Sequence, residues 1–141
     1  MRSTSPDPEL ATRLRLALAR SARRLRQAAG TDLSPSLTAA LATIERHGPL
    51  TPSELAARER VQRPTVTRIV DRLEEAGLIA RAGDPGDRRS SLITVTGAGR
   101  TLLATARTRK DAFLSERIDA LGADDRATLE RAAALLEGML E

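Results

Sequence analysis

Between residues 51 and 99 the chain sets two helix starts, a helix stop and a tight turn so close together that few architectures can hold them. Thr51-Pro52-Ser53-Glu54 opens the first helix: Thr51 can cap, Pro52 suits the first helical position, and Glu54 stands where a capping-box acid reaches back. Leu55, Ala56 and Ala57 supply a small apolar face. After a short turn around Arg60-Val61, Pro64 marks a second start. Val66, Ile69, Val70 and Leu73 then recur at three- and four-residue steps, the face of an amphipathic helix that ends at Gly77. Its polar side carries Thr65, Thr67, Arg68 and Arg72.

A hairpin follows at once. Leu78-Ile79-Ala80-Arg81 and Leu92-Ile93-Thr94-Val95 read as its strands, and Asp84-Pro85-Gly86-Asp87 places Pro and Gly at the centre of a type II turn. Thr96 caps the helix that comes next. A ribbon this short is marginal alone and must lean on the helices beside it. Its tip carries Asp87, Arg88 and Arg89, and two arginines at a tip suit a probe into a minor groove. Helix, turn, helix and basic hairpin in that order form a winged helix-turn-helix, so the expected fold is mostly α with a small β-hairpin wing. In such folds the start of the second helix meets base edges in duplex DNA.

The flanks read as long helices. Leu10, Leu14, Leu18, Ala22, Leu25 and Ala29 share one face up to Gly30. A second helix starts at Ser34-Pro35, turns Leu37, Leu41 and Ile44 inward, and stops at His47-Gly48. Beyond the hairpin, one helix runs from Gly97 through Phe113, Leu114 and Ile118 to Leu121-Gly122. Another starts at Asp124-Asp125 and aligns Leu129, Ala133, Leu136 and Leu140. This is more apolar surface than a compact reading head needs, and it would leave a single chain sticky. The expected division is 1–33 for an N-terminal dimerisation helix, 34–99 for the DNA-binding domain and 100–141 for C-terminal dimerisation helices.

With these residues in place the chain resembles the MarR family of bacterial transcription regulators. The likeness runs through Gly48-Pro49-Leu50-Thr51-Pro52-Ser53-Glu54-Leu55-Ala56, then from Arg63 to Glu74, then Gly77-Leu78-Ile79. It continues in the wing signature: Asp87 and Arg89, the apolar Leu92, Ile93 and Val95, then Thr96 and Gly99. The resemblance implies a homodimer whose terminal helices interlock. Its two recognition helices would stand about 34 Å apart and select pseudo-palindromic operators. A repressor, more than an activator, is expected. Thr65, Thr67 and Arg68 are candidates for base readout, with Gln62 and Arg63 at the helix entry. Thr51 and Ser53 suit phosphates, Arg72 would lie against the backbone, Asp87 would steady an arginine, and Arg89, with Arg88, would serve the minor groove.

The resemblance also implies a small-molecule effector, bound between the dimer helices and the reading head. Relatives favour aromatic acids, yet this chain has no Tyr or Trp and one Phe, so a pocket would be built of Leu, Ala and Arg. His47 is a candidate for lining it, although a helix-end histidine is ordinary. A second departure is Gln62, where the family often places a Ser or Thr cap.

Several positions have plainer readings. Thr65 and Thr67 can be solvent-facing helix residues, Arg72 can pair on the surface with Glu74 and Glu75, and Arg88 can be a solubility charge. Asp87 with Arg89 can simply stabilise the turn, Asp71 is expected to pair with a neighbouring Arg, and Gly97-Ala98-Gly99 reads as a helix start and not a phosphate loop.

Charge and residue usage exclude other classes. The net charge of +4 is weak evidence by itself. More telling is the local excess of Arg58, Arg60, Arg63, Arg68 and Arg72, joined by Arg81, Arg88 and Arg89 in the wing, as phosphate-binding surfaces require. With no Cys there is no disulfide framework, thiolate metal site or thiol redox sensor. A single His without metal-ligand spacing argues against zinc, and no nucleophile–base arrangement suggests an enzyme; no cofactor or metal is expected. No apolar run approaches membrane-spanning length and the polar N-terminus lacks a signal-peptide core, so a cytoplasmic location is expected. Two other classes share some of these features: a nucleoid-associated protein coating DNA with little sequence preference, and a protein–protein module on a degenerate winged-helix frame.

Overall fold

The computed structural model describes residues 7–84 and 87–141, apart from the side chains of residues 84 and 87–90. Its elements run α1 (Pro8–Ala29), α2 (Pro35–His47), α3 (Pro52–Glu59), α4 (Arg63–Glu75), β1 (Ile79–Asp84), β2 (Asp87–Val95), α5 (Gly97–Asp119) and α6 (Ala123–Met139). It is the mostly helical fold with one antiparallel hairpin that the sequence predicts.

Local chemistry explains the starts. α1, α2, α3 and α4 each carry a proline in the first turn, where the missing N–H costs nothing. Asp7, Ser34 and Thr51 accept from the N–H groups of Leu10, Leu37 and Glu54 at 3.0, 3.3 and 3.2 Å. The reciprocal cap expected at α3 is only half formed, since among the described residues the Glu54 carboxylate does not return a bond to Thr51. α4 ends in a Schellman turn, with Gly77 at φ 74 donating to Glu74 O at 2.9 Å and Leu78 donating to Leu73 O at 3.0 Å. α3 ends with Arg60 at φ 55, a left-handed position usually given to glycine.

The strands are longer than the expected 78–81 and 92–95. Pairing runs from Ile79 opposite Val95 to Gly83 opposite Ser91, with a register irregularity before Asp84 opposite Asp87. The outer rungs are sustained by backbone pairing, which does not require apolar side chains and so leaves little trace in sequence. The turn at Pro85-Gly86 lies outside the described residues. A further rung forms where Leu50, just before α3, exchanges both backbone bonds with Ile93, at 3.1 and 2.8 Å.

These elements close on one core. Leu41 and Ile44 of α2, Leu55 of α3, and Val66, Val70 and Leu73 of α4 meet Leu50, Ile79 and Ile93 with almost no exposure. Leu103 carries α5 into the same cluster. Thr96 fastens the junction: its hydroxyl donates to Gly77 O at 2.7 Å and accepts from Gly99 N at 3.1 Å. Gly99 is needed there because a Cβ would collide with Leu78 O and stand 2.7 Å from Val95 Cγ2.

The flanking helices are less enclosed. α1 lies along α5, with Arg109 Nη1 donating to Ala29 O at 3.2 Å across the end of α1. Phe113 of α5 lies beneath the guanidinium of Arg117, 3.4 Å from its centroid, with Arg24 of α1 at 5.5 Å. Arg107 of α5 pairs with Glu45 of α2 at 2.9 Å. α5 stops at Asp119, two residues short of the expected end, where Arg126 of α6 donates to the carbonyls of Ile118 and Asp119. α6 has no buried residue.

Candidate nucleic-acid interface

The inward row of Val66, Ile69, Val70 and Leu73 fixes how α4 is rotated, and with it the fate of every polar residue on the helix. One flank carries Thr65, Arg68 and Arg72. With Ser34, Ser36 and Leu37 at the start of α2, and with Ile69, they border a cleft of about 240 Å3. The other flank carries Thr67, Asp71 and Glu74 and faces the hairpin. The Thr67 hydroxyl donates to Arg63 O at 3.1 Å, an internal helix bond that leaves its methyl exposed.

The expected residues therefore divide into groups. Arg68 and Arg72 are exposed, and among the described residues neither meets a carboxylate. The surface pairing of Arg72 with Glu74 or Glu75 is thus not formed; Arg72 points along the α2 side while Glu74 is drawn to the hairpin. Gln62 occupies the N-cap of α4 with extended backbone (φ -74, ψ 152) but makes no side-chain cap bond, so its amide is free of the helix end. Gln62 and Arg63 are both exposed at this entry. At α3, Thr51 is half-buried with its hydroxyl oxygen engaged by Glu54 N, and Ser53 is exposed.

Arg81 departs from its expected place in the basic surface. Its guanidinium binds Asp71 and Glu74 at 2.5 and 3.1 Å, so it spends its charge on α4 and adds little to a phosphate-binding field. This is the pairing expected for Asp71, with its partner supplied by β1. At the outer end of the wing Asp87, Arg88 and Arg89 begin β2, and their side chains lie outside the described residues.

Two contributors escaped the sequence reading. Ser34 and Ser36 border the α4 cleft, although Ser34-Pro35 had served only as a helix start. The Leu50–Ile93 rung holds the start of α3 to the hairpin, and a lone extended residue between two helices carries no periodic signal. His47 is exposed at the end of α2 and does not line the cavity of about 590 Å3 between α1, α2 and α5. Among the described residues no group of three or more His, Cys, Asp or Glu could hold a metal ion. No described helix is long and apolar enough to cross a membrane.

Known proteins share this arrangement. The sequence model of the MarR family matches residues 33–91, which span the whole helix-turn-helix and most of the hairpin. The HTH-type transcriptional regulator MT0903.1 of Mycobacterium tuberculosis is 36% identical over 136 residues, covering 96% of this chain and 95% of that protein. A crystal structure from Pseudomonas aeruginosa PA01 superposes with a TM-score of 0.87 at 33% identity, covering 98% of each chain. Streptococcus pneumoniae FabT, solved in complex with DNA, shares the fold with a TM-score of 0.70 at 21% identity over 95% of this chain and 97% of that one. With a full-length relative at this identity and the family's own segment matched across the reading head, the chain belongs to the MarR family, whose members are DNA-binding transcription regulators and not enzymes.

Proposed function

We propose that this chain works as a homodimer that reads a pseudo-palindromic operator and represses the promoter it covers. The observation that carries the reading is the sorting of α4: guanidinium and hydroxyl groups on its exposed side, with Asp71 and Glu74 drawn off by Arg81. Arg68 is suited to guanine O6 and N7, and the methyls of Thr65 and Thr67 to thymine. Gln62 and Arg63 reach bases at the helix entry, while Thr51, Ser53 and Arg72 take the backbone. In the wing Arg88 and Arg89 serve the minor groove, with Asp87 as their support. Repression is the simplest consequence of occupancy, since a dimer seated on a promoter excludes other proteins from it.

Residues 1–33 and 100–141 act in this reading as the dimer frame around the head at 34–99. Leu129, Leu135, Met139 and Leu140 leave α6 with an apolar surface that its own chain does not cover, and Leu10, Leu18, Leu114 and Ile118 extend it across α1 and α5. A small effector would enter the cavity between α1, α2 and α5. Arg23, Arg26 and Lys110 there favour an anion, while Ala29, Leu33 and Ala42 favour an aliphatic body. It releases DNA only if it binds one spacing of the two heads better than the other.

Fluorescence anisotropy with a selected operator and a random duplex tests the base-reading core. Arg68→Ala should cost about 1–3 kcal/mol on the operator and relax one base position, with little change on random DNA. Equal losses on both duplexes contradict the assignment.

A further inference from the structure

The cleft between the start of α2 and α4 has a chemistry of its own. Its walls bring together the guanidiniums of Arg68 and Arg72 and the hydroxyls of Ser34, Ser36 and Thr65, over a floor of Leu37 and Ile69. Among the described residues no carboxylate lines it, so the site selects against cations. The Ser34 oxygen already accepts from Leu37 N at 3.3 Å, which leaves its proton for an acceptor outside the helix. Among the described residues Ser36 Oγ has no hydrogen-bond partner. Donors without acceptors, on two separate elements, converge on a volume of about 240 Å3. The cleft is open and has ample room for a tetrahedral oxyanion, and the pairing of guanidiniums with hydroxyls is the donor set such an oxyanion takes.

The occupant follows from position. Thr65 and Arg68 border the cleft and also belong to the side of α4 that the operator reading assigns to bases. A group in the cleft is therefore within one side chain of the DNA groove. We propose that the cleft seats one backbone phosphate of the bound duplex, held from α4 by Arg72 and from α2 by Ser36 and Ser34. This inference rests on the operator reading and adds α2 to the DNA contact. A phosphate gripped from both helices fixes how far α4 slides along the groove, so the grip sets register without reading sequence.

The test pairs Arg72→Ala and Ser36→Ala with operator duplexes carrying a neutral methylphosphonate at one backbone position at a time. On unmodified DNA, Arg72→Ala should weaken operator and random duplexes alike by about 10-fold and lower the log–log salt slope by about 1. Ser36→Ala should weaken both by about 3-fold with the slope unchanged. At one position per half-site, removing the phosphate charge should erase the effect of both substitutions, the signature of a shared contact. If no position does so, or if the two substitutions map to different phosphates, the cleft assignment is wrong. If no methylphosphonate position couples to the substitutions, yet inorganic phosphate at constant ionic strength displaces DNA from the parent protein and not from Ser36→Ala, the site belongs to a free ion, which also overturns it. Failure of the parent protein to discriminate operator from random DNA defeats the operator reading instead, and the cleft is then decided by whether Arg72→Ala and Ser36→Ala still weaken random duplex by the stated factors, unchanged affinity overturning it.

Discussion

Arg81 on β1 holds Asp71 on α4 with Nη2 2.5 Å from Oδ1, and the same guanidinium reaches Glu74 through Nε at 3.1 Å. The contact ties the base of the wing to the flank of α4, and it masks two acids on the helix that the proposed function sets against DNA. An exposed pair of this kind is worth only about 0–1 kcal/mol in stability. Its electrostatic effect on a polyanion is larger. Arg81→Ala should leave the melting temperature nearly unchanged and weaken DNA binding most at low salt. Adding Asp71→Asn and Glu74→Gln should restore much of that loss, because the unmasked acids are then gone. A variant that melts early and binds normally would make the contact purely structural.

Gly99 reverses an ordinary helix rule. Glycine to alanine inside a helix normally gains up to about 1 kcal/mol. Here the added methyl meets Leu78 O and Val95 Cγ2, where backbone cannot yield cheaply. Gly99→Ala should therefore destabilise by about 1–3 kcal/mol in urea unfolding. A gain in stability would show that the turn and α5 are less closely fitted than described.

Gln62 separates helix stability from recognition. Its backbone takes the N-cap geometry while its side chain makes no cap bond, so Gln62→Ser should stabilise the protein by about 0.5–1 kcal/mol. The same change removes an amide from the helix entry and should weaken the operator complex. Gains in both stability and affinity would mean that Gln62 contacts no base and is only a poor cap.

Leu135 of α6 is 71% exposed, and Leu140 just beyond the helix is 74% exposed. Leu135→Glu should shift the protein to monomer in sedimentation velocity and cut operator affinity, since one recognition helix then binds without its twin. Unchanged sedimentation as a dimer would exclude this part of α6 from the subunit interface.

Much of this was legible before any coordinate, for reasons that differ by element. Val66, Ile69, Val70 and Leu73 all lie in the core, because a helix with one buried face must repeat its apolar residues at helical spacing. Thr51, Thr96 and Gly77 were legible because caps and left-handed stops use few residue types. What stayed hidden is non-local. Arg81 looks like one more cation in the wing until Asp71 and Glu74 arrive from another element. Ser36 looks like a helix-start residue until α4 brings Arg72 opposite it. The Leu50 rung and the outer strand pairs rest on backbone groups that every residue carries. Arg60 at φ 55 is invisible for a related reason, since the neighbouring turn imposes the conformation and the side chain does not.

Selecting bound fragments from a genomic library with the purified protein at about 0.15 M salt, and footprinting the winners, tests whether a dimer reads DNA through paired α4 helices. A short pseudo-palindrome is expected, with half-sites one helical turn apart, about 34 Å centre to centre, and protection confined to it. Broad protection without a shared motif would contradict it and make the protein a coating factor for DNA.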